Sequence, residues 1–194
     1  MRLFLLLFFS VVTVVLFSCS AEIRTFDWID AKDSTKVSNN VMVLCLLRDL
    51  EYRNVIEQQL EFSLKALNYN AVQSLNILSP TDKLSKDDFS LLLKSKNINT
   101  VIGIKYEGSI IQKTNENRNN LYTFYRRFYR HFFKKAYIEK TQITIFQATL
   151  FNVETGKDVW VATIKIKDFG NATDLAKIIA DEIIKKLKFR KLIN

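Results

Sequence analysis

Apolar residues recur along this chain in distinct rhythms, and each rhythm marks a different element. Leu3–Phe17 is an almost unbroken apolar run behind Met1-Arg2. It is shorter than the roughly 20 apolar residues a helix needs to cross a bilayer. With its positive start and the small Ser18 at its end, it marks residues 1–18 as a secretory signal peptide. Residues 19–40 are mostly polar, with one apolar cluster, Phe26-Asp27-Trp28-Ile29, and read as a tether. Val41–Leu47 is uniformly apolar, as in a strand covered on both faces. Tyr52, Val55, Ile56, Leu60, Leu64 and Leu67 follow at helical spacing, with Asp49 placed to cap the start and Asn68 the end.

Ala71–Leu75 is a short strand leading to a loop around Pro80. Ser85 and Asp88 resemble a capping box for a second helix carrying Phe89, Leu92 and Leu93. Thr100–Tyr106 is a third apolar strand, so the order to this point is β-α-β-α-β, which predicts a parallel sheet with right-handed crossovers. An insertion at about 109–137 follows; within it Gln112–Asn120 is a polar loop. Glu139–Asn152 and Asp158–Lys167 are long strands joined at Glu154-Thr155-Gly156-Lys157 as an antiparallel hairpin. In the second, Trp160, Ala162, Ile164 and Ile166 alternate with Val161, Thr163, Lys165 and Lys167, one face dry and one wet. A last helix from about Thr173 carries Leu175, Ile178, Ile179, Ile183 and Leu187 on one side and ends in a basic tail. The fold class is thus α/β: one domain, residues 41–194, with a mixed sheet of about five strands and three main helices.

Composition sharpens this in three ways. One Pro and four Gly leave no room for a flexible linker between two domains. Leu16-Phe17-Ser18-Cys19 resembles a bacterial lipobox, at which a precursor is lipidated on cysteine and cut before it. Phe17 stands where a small or β-branched residue is usual, and the alternative is an ordinary cleaved signal with a stray cysteine. With Cys19 acylated, Cys45 has no disulfide partner, and its place in an apolar strand makes it a small buried hydrophobe. The net charge of +9 would raise nucleic acid for a cytosolic protein. Export removes that partner and leaves anionic lipid or an acidic protein face.

The lipobox cysteine, "VMVLCLLRDLEYRNVIEQQLEFSLKALNYNAVQS", "INTVIGIKYEG", the aromatic-rich insertion and "ATLFNVETGKDVWVA" together resemble a family of uncharacterised gram-negative envelope lipoproteins. Its α/β domain is similar to the amino-terminal domain of the TolB protein and to the curli-secretion lipoprotein. The resemblance implies an envelope location and the fold, and brings no activity or functional residue with it.

Chemistry is thinly represented. His131 is the only histidine, so His-based metal sites and nucleophilic triads have a single member. Gly103, Gly108, Gly156 and Gly170 are isolated and form no phosphate loop. Asp87-Asp88 and Asp181-Glu182 sit on helices in capping or solvated roles, and Asn171 suits the cap of the last helix. Nothing calls for a cofactor, and the chain reads as a non-enzyme.

One segment asks for a function. Tyr122–Tyr137 holds eight aromatic residues, five Arg or Lys and no acid. Wound as a helix, Tyr122, Tyr125, Tyr129, Phe132 and Phe133 share one arc, with Arg127, Arg130 and Lys134 opposite, Arg126 at the border and Lys135 completing the cations. Rings backed by cations suit a membrane interface; the plainer use is to cap an open part of the sheet. The reading is therefore a lipid-anchored binding or scaffolding protein held to the membrane through Cys19, with anionic lipid or an envelope protein as the partner of Tyr122–Tyr137. An accessory of an envelope assembly or secretion machine is the alternative, and an enzyme stands last. Ser20 after Cys19 favours the outer membrane.

Overall fold

The computed structural model describes residues 22–30, 36–80, 84–114 and 139–194. Its elements are β1 (Glu22–Ile29), β2 (Asn40–Leu46), α1 (Leu50–Lys65), β3 (Asn70–Gln73), a 3-10 turn (Ser74–Asn76), α2 (Lys86–Ser95), β4 (Thr100–Thr114), β5 (Glu139–Asn152), β6 (Lys157–Lys167) and α3 (Ala172–Phe189). The described strands make one six-stranded sheet in the order β1-β6-β5-β4-β2-β3. The parallel part is β3-β2-β4, and β4, β5, β6 and β1 are antiparallel neighbours.

The mixed α/β class expected from the pattern is what forms, with one strand more. Glu22–Ile29, assigned above to the tether, pairs along its whole length with β6, from Glu22 opposite Lys167 to Ile29 opposite Trp160. Its alternation is strand-like: Ile23, Thr25, Asp27 and Ile29 share the face of Ile166, Ile164, Ala162 and Trp160. A second difference lies in β4, which continues past Tyr106 to Thr114. Residues 109–114, placed above in the insertion, pair with β5 down to Thr114 opposite Glu139. A bulge between Tyr106 and Gly108 interrupts that ladder. Gly108 takes φ 135° there, a conformation that side chains rarely tolerate.

The helices lie where right-handed crossovers must put them. From β2 the chain passes through α1 to β3 on one side, then returns through α2 past β2 to β4 on the other. Opposite directions of travel place α1 and α2 on opposite faces. Val41, Val43 and Cys45 enter the main core with Ile56, Leu60 and Leu64 of α1 and Leu175, Ile179 and Ile183 of α3. Met42 and Val101 point the other way, against Leu93 of α2 and Ile98. β2 is covered on both faces, as its continuous apolar run requires. Caps stand where the sequence puts them: Asp49 accepts from the amides of Glu51 and Tyr52, Ser85 from Asp88, and Asn171 from Asp174. Asn68 ends the first helical segment at φ 65°.

Inside the main core sits a carboxylate. Glu57 is fully buried. Its Oε1 accepts from the Cys45 amide at 2.9 Å, from Arg53 Nε at 3.1 Å and from the Ser74 hydroxyl at 2.6 Å; its Oε2 accepts from the Leu75 amide at 3.1 Å. One side chain of α1 thus holds the end of β2 and the turn after β3. That capture is why β3 stops at Gln73, short of the Leu75 expected from the apolar pattern. Cys45 is buried as expected; desolvation, with the negative Glu57 nearby, pushes its thiol up to about 12. Reductant should therefore leave unfolding unchanged. Glu57→Ala, which strands Arg53 without its charge partner, should cost about 3–5 kcal/mol in urea titration.

Candidate functional site

Cys19 and the candidate contact residues Tyr122, Tyr125, Arg126, Arg127, Tyr129, Arg130, Lys134 and Lys135 lie outside the described residues. What the structure fixes is where their segments join the domain. Glu22 at the start of β1 is opposite Lys167, and Lys167 is opposite Ile143 of β5. The β4–β5 ladder runs on from Ile143 to Thr114 opposite Glu139. The chain coming from Cys19 and both ends of the segment containing the aromatic block therefore meet the sheet at the same end.

β1 is fastened by one charge. Asp27 points to the helical face, its side chain 6% exposed. It accepts from Arg190 Nε at 2.7 Å and Trp160 Nε1 at 3.2 Å, and pairs with Lys186 Nζ at 3.4 Å. The hydrogen bond from Arg190, helped by the one from Trp160, holds the Asp27 carboxyl below the ordinary carboxylate range against its partial burial. Lys186 and Arg190 belong to the basic tail that ends the last helix. Both are spent on Asp27, and Lys185 pairs with Glu182 at 3.3 Å.

The other face of β1 is open. Phe26 is 66% exposed and Trp28 54%. They share that face with Arg24, and Lys165 Nζ lies 5.9 Å from the centre of the Phe26 ring. The sequence pattern places Phe26 and Trp28 in a tether, with Trp28 docked on the domain; Trp28 instead stands out from an edge strand. The alternation Glu22, Arg24, Phe26, Trp28 against Ile23, Thr25, Asp27, Ile29 was the signal for the strand, masked by its polar flanks.

A cleft of about 670 Å³ opens where β1 and β6 meet the start of α3, lined in part by Glu22, Lys167, Asp168, Asp174, Lys177 and Asp181. Acids and lysines mix in it. Among the described residues no three potential ligands come together to hold a metal ion. Glu22 is lowered by its hydrogen bond and charge pairing with Arg24, the reverse of what a general acid needs. No helix among the described residues is long and apolar enough to cross a membrane.

No protein-family profile matches the chain, and no curated protein matches it in sequence. Solved structures resemble it to differing degrees. It is similar to the PelC dodecamer from Paraburkholderia phytofirmans, at TM-score 0.50 and 12% identity, covering 86% of this chain and 97% of that one. Lipoprotein GNA1162 from Neisseria meningitidis gives TM-score 0.44 and 10% identity over 77% of this chain and 97% of that one. A minor lipoprotein from Acinetobacter baumannii gives 0.29 and 10% over 76% and 94%. At these identities the likeness to PelC establishes the class of fold, a mixed α/β sheet domain, and nothing finer.

The Asp27 clamp has a definite pH signature. A carboxyl held below its ordinary value of 3.8 contributes its full stabilisation above that value and loses it as pH falls through the folded value. Asp27→Asn should cost roughly 1–3 kcal/mol at neutral pH. It should also flatten the acid limb of the stability curve below about pH 4. Urea midpoints across pH for both proteins measure this; an unchanged acid limb would show that Asp27 does not hold the strand.

Proposed function

We propose that this chain is a lipid-anchored, non-catalytic binding or scaffolding protein of a gram-negative envelope, akin to the uncharacterised lipoproteins it resembles in sequence. A lipid on Cys19 holds it to the membrane, and Tyr122–Tyr137 makes a second contact with anionic lipid or an envelope partner. One observation supports this reading: the chain from Cys19 and both ends of the segment that contains the block join the sheet at a single end. Export makes a membrane the neighbour at that end, and Ser20 directs the protein to the outer one, facing the periplasm. The anchor and the contact act together at one end, since the second engages at the high effective concentration set by the first.

A second reading, a subunit or accessory of an envelope assembly, draws on the fold shared with PelC, which is solved as a dodecamer. A defined ring-sized species in light scattering of the purified chain would favour it. An enzyme remains the least supported reading, because the cleft offers mixed charges without a nucleophile-base pair.

Cys19→Ser should abolish lipidation and leave an unprocessed or soluble form. Cleavage at the same bond with unchanged membrane fractionation would overturn the anchor. In the chain from Ser20 onward, charge reversal at Arg126, Arg127, Arg130, Lys134 and Lys135 should weaken binding to anionic vesicles, and salt should mimic the loss by screening. Unchanged binding by a folded charge-reversed chain would return Tyr122–Tyr137 to a covering role.

A further inference from the structure

We propose that the open face of β1 and β6 is itself a docking surface for the lipid bilayer, and that its occupant is the anionic head-group layer holding Cys19. It rests on the lipid anchor proposed above and concerns residues that neither the lipobox nor the aromatic block includes. Among the described residues this face is uncovered. α2 packs over Met42 and Val101 of β2 and β4, and no described helix reaches β6 and β1 on that side. There Phe26 and Trp28 stand exposed, with Thr163 and Val161 opposite them on β6. Leaving two large rings mostly in water forgoes the stabilisation that burying them would give.

The short link chooses the occupant. Only Ser20 and Ala21 separate Cys19 from Glu22. An extended chain covers at most about 3.3–3.6 Å per residue, so three steps keep Glu22 within roughly 10 Å of the anchored cysteine. β1 then rises at about 3.4 Å per residue, which carries Phe26 about 14 Å and Trp28 about 20 Å beyond Glu22. Were the strand upright on the membrane, both rings would stand in water. Lying along the surface, it brings both to head-group level, where amphipathic Trp is at home.

The charges agree. Arg24 and Lys165 flank Phe26 on this face, and Lys167 lies at the anchored end. The one acid among them, Glu22, is already paired with Arg24 and Lys167. Long basic side chains can keep their stems with the rings and reach phosphates with their heads. A protein partner would meet the same face only after competing with a bilayer that the link holds within reach.

The two tryptophans make the test direct, because Trp160 is wholly buried and Trp28 is exposed. The full-length protein is expressed, purified and reconstituted into vesicles of phosphatidylethanolamine with a minor fraction of phosphatidylglycerol, with or without brominated acyl chains. The mass of the N-terminal peptide reports lipidation of Cys19 independently. Brominated lipid should quench wild-type emission several-fold more than that of Trp28→Phe, in which only Trp160 remains. Arg24→Glu with Lys165→Glu should remove most of the difference. A lipidated protein whose Trp28 is no better quenched than Trp160 and stays open to acrylamide overturns the docking face while the anchor stands. Trp28 shielded from acrylamide yet untouched by brominated lipid overturns it too, and assigns the face to a protein contact. An unlipidated peptide, with Trp28 still quenched when vesicles are added, retires the anchor and upholds the face.

Discussion

The placement of everything around the N-terminal end depends on the buried carboxylate of Asp27. β1 is an edge strand with a single partner, and a strand so placed is easily lost unless its side chains are held from the face it covers. Asp27 supplies the hold by gathering Trp160 of β6 with Lys186 and Arg190 from the end of α3. Its partners half-shield the charge and satisfy it, so its desolvation is offset. With β1 in register, Glu22 stands opposite Lys167. The N-terminal link thereby enters at a defined point of the sheet. Without the clamp, β1 would keep its ladder to β6 but lose the contact that ties it to the end of α3.

The sheet divides into halves that follow different rules. In the parallel half, each return of the chain needs a crossover, and opposite directions of travel put α1 and α2 on opposite faces. Glu57 ties that half together from within, linking α1, the end of β2 and the turn after β3. In the antiparallel half a tight turn joins β5 to β6, where Asn152 Oδ1 accepts from the amides of Glu154 and Thr155 and Gly156 takes φ 67°. That turn brings no helix with it. α3 covers one face of this half, and among the described residues the other stays open with Phe26 and Trp28 upon it.

What could be read from sequence was whatever repeats locally. β2, the hairpin of β5 and β6, and the caps at Asp49, Ser85 and Asn171 announce themselves within a few residues, because pattern and cap chemistry act at short range. Asp27 and Arg190 meet across most of the chain length, and nothing near either one signals the other. Arg53 and Glu57, four apart on a helix, carry no local sign of burial; only the arrival of Ser74 and the end of β2 buries them. β1 was hidden for a third reason. Its alternating pattern is sound, but a short half-exposed edge strand carries as many polar residues as a linker does. The candidate site shared this fate: the residues that end an element or leave a face bare are decided by neighbours far along the chain.

A lipid on Cys19 alone would fix where the protein is, yet leave its orientation free if the link were long. The span to Glu22 is too short for that freedom. Because β1 is integral to the sheet, an anchor this close constrains the whole domain. With β1 lying along the membrane as proposed, the edge strand β3 and the helix α1 beside it sit at the opposite edge of the sheet. Under the proposed attachment, the surfaces of α1 and β3 are thus the ones presented away from the membrane. A scaffold that bound a second envelope component there would hold it at a fixed height and angle, which a lipid on a flexible tether could not do.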